Sequence, residues 1–272
     1  MSSSPADRLY HYQKWEPEWL RKAVVERKIR FSGPENFNDP WDCRPFFKLD
    51  LSHPEARRRE IDWIMATNRK HNTTWSEDRH QALAERLNSD VEFLRRTILT
   101  MSDQLDGGIR EKYRIYCLCP SGTNALIWAH YAEKHRGIAL EFDRYSETMQ
   151  GAMPIEYSEF YPDMTLADRD DGLEILRPLL SKSDVWSYEH EVRLIALERR
   201  MAVSPDDDEI FKVDDGFFVL PEGVLTGVVL GCLVEEGTVD QARKIVALAG
   251  GKVALRKTER LRDRYDLRIV DI

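Results

Sequence analysis

The chain has little of what several protein classes require. Among its 272 residues there are four cysteines, Cys43, Cys117, Cys119 and Cys232. Their spacings fit neither a disulfide framework nor a zinc ribbon, so all four read as buried, reduced thiols. Cys117 and Cys119 lie two apart in an apolar run, on one face of an expected strand. No apolar run approaches the roughly 20 residues that a membrane-spanning helix needs. The start, Met1 to Asp7, is short and polar and has no apolar signal region, which reads as a loose cytoplasmic N-terminus. Positive charge is not in excess either. Forty basic residues against 48 acidic ones leave a net charge of -8, which argues against clamping nucleic acid over a broad surface. Glycine and proline are spread thinly, with no repeat, low-complexity stretch or linker. The expectation is a single cytoplasmic domain spanning 1–272.

Familiar catalytic signatures are missing as well. There is no Walker loop, no G-x-G-x-x-G, no H-E-x-x-H and no G-x-S-x-G, which disfavours kinases, Rossmann dehydrogenases, zincin proteases and serine hydrolases.

What is present is a regular alternation of patterns. Leu9 to Tyr12 reads as a strand and Glu16 to Arg27 as a helix, with Trp19, Leu20, Ala23 and Val24 at helical spacing. Ile29 to Ser32 reads as a strand running into a turn-rich segment, Gly33 to Asp42. From about Pro54 to Gln104 the pattern is helical. Leu83, Leu87, Val91, Leu94, Ile98 and Met101 step by three or four, and Thr74 or Ser76 is placed to cap this second helix. We expect a helical insert at about 53–112, formed by a pair of helices. Strands are then expected at Arg114 to Leu118, Ile138 to Phe142 and Pro154 to Tyr157. A helix at Asn124 to His135 ends by Gly137. Val185 to Leu197 reads as a half-buried strand, and the end reads Val224 to Leu230 strand, Val239 to Ala249 helix, and strands around Val253 and Leu267 to Val270. The fold class implied is α+β, a mixed central sheet with a helical insertion. Arg57, Arg58, Arg59, Arg69 and Lys70 crowd one helical region, and Asp206, Asp207 and Asp208 form an acidic loop. Both read as solvated faces.

Three segments carry the polar residues of most interest. They are Phe37-Asn38-Asp39-Pro40-Trp41-Asp42; Trp128-Ala129-His130-Tyr131-Ala132 followed by Gly137-Ile138; and Lys182 with Trp186-Ser187-Tyr188-Glu189-His190-Glu191-Val192-Arg193. On a strand, Glu189 and Glu191 would share one face, where one carboxylate could orient a ribose hydroxyl and the other stabilise an oxocarbenium-like centre. The Asn38-Asp39 turn could fix a sugar or an amide, or Asp39 and Asp42 could simply cap turns. Arg193 is expected to pair with a carboxylate, and Lys182 to meet a phosphate or stay solvated. His190 should pack rather than react. His130 and His135, five apart, do not share a helix face, so no zinc site is expected.

These three blocks, in this order, resemble the signature segments of an uncharacterised bacterial family known as domain of unknown function 2971. The Glu189-x-Glu191 pair is also similar to that of arginine-directed ADP-ribosyltransferases, and the strand–helix–glycine–strand run through Tyr131 to a block of the poly-ADP-ribosyltransferases. That resemblance implies a split central sheet and NAD as substrate. It implies ribose held by His11 of the first strand, nicotinamide stacked on Tyr131, and Glu191 with Glu189 as catalytic carboxylates. Asn38 and Asp39 would also contact NAD. Two features depart from the pattern: Tyr12 follows His11 where a small residue is usual, and the insert lengthens the His-to-Tyr separation. The acceptor would be a macromolecule, and a role in bacterial toxins or phage defence would suit the family. The alternatives are a binding or scaffold module on the same fold, or a metal-dependent nuclease using Asp39, Asp42, Glu189 and Glu191.

Overall fold

A computed structural model describes residues 7–47, 49, 51–162, 164–167, 174–202 and 211–272, with backbone alone at 174 and 175. The expected acidic loop at Asp206, Asp207 and Asp208, and the first six residues, lie outside these. In chain order the elements are β1 (Arg8–Gln13), α1 (Pro17–Val25), β2 (Lys28–Arg30), α2 (Pro54–His71), α3 (Glu77–Ser89), α4 (Val91–Lys112) and β3 (Tyr113–Leu118). Then come α5 (Ala125–Tyr131), β4 (Ile138–Asp143), α6 (Glu147–Gln150), β5 (Met153–Pro154), β6 (Glu156–Ser158), β7 (Ser181–Ser183) and β8 (Val192–Glu198). The last are β9 (Phe211–Val213), β10 (Phe217–Val219), β11 (Leu225–Leu230), α7 (Glu236–Ala247), β12 (Ala254–Arg260) and β13 (Leu267–Asp271). The fold is α+β with mixed sheets. No helix among the described residues is long and apolar enough to cross a membrane.

The chain divides into two compact units. One comprises Met1–Phe37, Tyr113–Ile155 and Val185–Ile272; the other comprises Asn38–Lys112 and Glu156–Asp184. The helical insert thus gathers with segments on both sides of it in sequence.

The first unit is built on a five-stranded sheet of order β1-β4-β11-β12-β13. Its strand β4, Ile138-Ala139-Leu140-Glu141-Phe142, lies between β1 and β11 and is buried on both faces, which is why it reads as a nearly continuous apolar run. β11 and β12 run parallel and are joined by α7, whose Ala242 and Val246 are buried in the same core as Leu20, Ala23 and Val24 of α1. A second sheet, β3-β8-β5 with β9 beside β8, meets the first along a seam. There Tyr10 of β1 and Cys119, just past β3, exchange backbone hydrogen bonds of 2.8 Å in both directions. Ser32, just past β2, and Ile115 of β3 exchange bonds of the same length, which joins the β2-β10 pair to the second sheet.

One buried carboxylate ties several strands together. Glu141 of β4 accepts from Tyr10 at 3.3 Å, from Thr226 at 3.0 Å and from Arg256 of β12 at 2.6 Å. The partner strand offers Gly227 at that register, and a Cβ there would come within 3.2 Å of both Glu141 Oε1 and Arg256 Nη1. Glycine leaves room for the ion pair.

In the second unit the expected pair of helices is three. The apolar stripe continues in register from Leu87 to Val91, but the helix stops at Ser89, and Asp90 accepts the Phe93 N–H at 2.9 Å to start α4. Ser76 stands at the N-cap of α3, without a side-chain capping bond. Leu87, Leu94 and Ile98 are buried with Ile61 and Ile64 of α2, whereas Val91 is exposed. The Asn38 to Asp42 turn also belongs here. Asp39 Oδ1 accepts the Trp41 N–H at 2.9 Å, and buried Asp42 faces buried Lys182 at 3.7 Å. Lys182 is therefore not solvated. Asn38 is exposed.

Candidate functional site

The seam of the first unit collects polar side chains that come from distant parts of the sequence. His11 projects from β1 and its Nδ1 lies 2.8 Å from the carbonyl of Cys117. A carbonyl oxygen can only accept, so Nδ1 carries the hydrogen and Nε2 of the neutral ring is left as an acceptor. The ring lies flat on Tyr116, centroids 4.0 Å apart. Burial lowers the His11 pKa to about 4, against the opposite pull of the Cys117 carbonyl and the Glu191 charge. At neutral pH the imidazole is uncharged. Tyr116, behind it, is fully enclosed, and its hydroxyl has no hydrogen-bond partner among the described residues. Desolvation holds that phenol far above its ordinary pKa.

Glu189, His190 and Glu191 do not lie on a strand. The strand pattern read over Val185 to Leu197 is correct only from Val192. Before it, Asp184–Glu189 is a 3-10 helix, and His190 then takes a left-handed conformation with φ 46°. The alternation of charged and apolar residues that suggested a solvated strand face comes instead from a tight turn. His190 is exposed rather than packed. Glu189 and Glu191 are both buried.

The two carboxylates have different neighbours. Glu189 Oε1 accepts the Tyr131 hydroxyl at 2.8 Å. Glu191 receives Arg193 through Nε at 2.8 Å and Nη2 at 3.1 Å, a two-point pairing with a guanidinium that has no exposed surface. That guanidinium also lies over the Phe37 ring, 5.3 Å from its centroid. Arg193 therefore stands inside β8 and not on an outer face.

Cys119 sits among these groups. Its thiol donates to the Glu189 carbonyl at 3.1 Å, and burial pushes its pKa up to about 12, with the Glu189 and Glu191 charges adding to the rise. It is a neutral structural donor. Asn124, at the N-cap of α5, accepts from Leu126 N at 3.0 Å and Ile127 N at 3.3 Å, and donates to the Tyr188 carbonyl at 2.8 Å. Neither role was read from the sequence. An Asn just before an apolar helical run does signal a cap, but nothing local announces the bond to Tyr188.

His11, Tyr131, Glu189 and Glu191 are thus gathered at the end of β3. Asn38 and Asp39 belong to the other unit, as described above.

Compared with family models, with curated proteins and with solved structures, the chain matches none.

Among the described residues no group of three or more His, Cys, Asp or Glu is arranged to hold a metal ion. Each of the four carboxylates considered for a nuclease has a protein partner: Trp41 N for Asp39, Lys182 for Asp42, Tyr131 for Glu189 and Arg193 for Glu191. Beside Tyr131 a group of rings reaches the surface. His130 stands 6.0 Å from Trp186 and 6.4 Å from Tyr188, which are 6.1 Å from one another.

Proposed function

We propose that the first unit is a cytoplasmic, NAD-dependent ADP-ribosyltransferase of the split-sheet kind, acting on a macromolecular acceptor. The three signature segments favour membership of the family known as domain of unknown function 2971, with a role in bacterial toxins or phage defence. One observation carries the reading: a neutral histidine acceptor, a tyrosine and two carboxylates meet where the two sheets join. His11 Nε2 accepts a hydrogen bond from a ribose hydroxyl of NAD, and the Tyr131 ring offers a face to nicotinamide. The bond between nicotinamide and ribose C1′ breaks, its electron pair leaving with nicotinamide. The acceptor's nucleophilic atom then bonds to C1′ and loses its proton. The ribose centre is positive as the bond breaks, and Glu189 supplies the nearby negative charge. Glu191 serves less well for this because Arg193 already balances it; it holds the turn and biases His11.

A second reading has one observation in its favour. The two-point pairing of Glu191 with a fully buried Arg193 is what a purely structural role would need, and it supports a binding or scaffold module.

The test is nicotinamide release from NAD without added metal, together with calorimetric binding of NAD. Glu189→Gln should lower release by roughly 10²-fold while leaving binding nearly unchanged. Tyr131→Ala should weaken binding. No binding at millimolar NAD overturns the transfer reading and leaves the scaffold reading in place.

A further inference from the structure

We propose that Asn124 is the positioning residue of this site, acting on Glu189 through the backbone of Tyr188. The inference rests on the carboxylate role given to Glu189 above. The side chain of Asn124 has two halves with different jobs. Its Oδ1 accepts Leu126 N and Ile127 N and so starts α5, the helix that ends at Tyr131. Its Nδ2 donates 2.8 Å to the carbonyl of Tyr188, 64 residues away in sequence. The next carbonyl, that of Glu189, is held by the Cys119 thiol. Two successive carbonyls of the turn are therefore clamped by side chains from the stretch between β3 and α5.

Capping alone does not explain the residue type. Ser, Asp or Thr would cap α5 about as well, because capping needs only an acceptor. Holding Tyr188 as well needs a donor aimed away from the helix: Asn carries it on a separate atom, Asp has none, and a Ser or Thr hydroxyl would have to do both jobs from one oxygen. The Tyr131 hydroxyl then closes the loop onto the Glu189 carboxylate at 2.8 Å. One amide thus fixes both partners of that hydrogen bond, the helix carrying one and the turn carrying the other.

Asn124→Asp separates the two jobs. Its carboxylate still caps α5 but offers no donor to the Tyr188 carbonyl above the carboxyl pKa, about 4. In full-length protein, amide hydrogen exchange across 187–191 should speed up roughly three- to ten-fold while exchange in 125–131 stays as in wild type. Lowering the pH below about 4 returns an O–H donor to the aspartic acid, so protection of 187–191 relative to wild type at the same pH should recover. A residue that only capped the helix would not show that pH dependence. Nicotinamide release should fall about tenfold in kcat with little change in KM, as small misplacements of a reacting group do. Unchanged exchange in 187–191, or equal loss of protection in 125–131, overturns the proposal. If wild-type protein releases no nicotinamide, the transfer reading falls, while the exchange comparison still decides the role of Asn124.

Discussion

Arg193 and His11 show how strongly burial sets the behaviour of single groups in this protein. A guanidinium with no exposed surface is tolerable because Glu191 meets it at two points, each within 3.1 Å. Removing one member leaves the other charged and desolvated. Arg193→Met should therefore cost about 3–5 kcal/mol in a urea titration, and Arg193→Met combined with Glu191→Leu should recover a large part of the loss. A cost below about 1 kcal/mol for the single change would show that the pair carries little of the stability. His11 makes a prediction in pH. Its folded pKa is about 4, below the ordinary 6.5, so between those values the unfolded chain binds the extra proton and the folded one does not. Stability is thus intact above about pH 6.5 and is lost as pH falls towards 4, by up to about 3 kcal/mol from this group. The urea midpoint of wild type should drop over that window, and His11→Gln should flatten the drop. An equally steep fall in the variant would assign the dependence to other groups.

At the scale of elements, the connection from α5 to β4 is the least ordinary. Glu133, Lys134 and His135 take left-handed conformations in succession, with φ of 49°, 54° and 66°. None is glycine, and each such residue costs about 1–2 kcal/mol. The turn persists because its backbone is bonded: His135 N donates to Trp128 O at 3.1 Å, and Leu233 N to His135 O at 3.0 Å. Gly137 ends it, and a Cβ there would lie 2.3 Å from the Gln13 carbonyl. Lys134 is exposed, so Lys134→Gly should raise stability by roughly 0.5–1 kcal/mol, the reverse of what glycine does in a helix. The check is the urea midpoint at unchanged slope; a fall would mean that the Lys134 side chain contributes more than the strain costs. The expected helix from Asn124 to His135 is shorter than read for this same reason. Helical spacing continues past Tyr131, but the chain leaves the helix to reach β4. The 3-10 turn before β8 departs from the expected strand in a similar way, because alternation over three residues does not distinguish a strand from a tight turn.

For the whole molecule, local pattern decided much and long-range pairing decided the rest. The amino-acid sequence alone determined the α+β class, the strands at Leu9 to Tyr12, Arg114 to Leu118 and Ile138 to Phe142, the helical character of the insert, and the strand–helix–strand ending. Each of these depends on residues within a turn or two of one another, where the spacing of apolar side chains is itself the cause. The short β9 and β10 were not legible, since three residues carry too little periodicity. The seam was not legible either. The bond of Tyr10 to Cys119, of Asn124 to Tyr188 and of Tyr131 to Glu189 each joins segments more than fifty residues apart. The sequence could nominate His11, Tyr131, Glu189 and Glu191 by residue type. Which carboxylate meets Tyr131 and which meets Arg193 was decided only by the tertiary structure. Side-chain partners across such distances are chosen by how the sheets pack and by which buried charge must be satisfied, and neither is written in the spacing of neighbours.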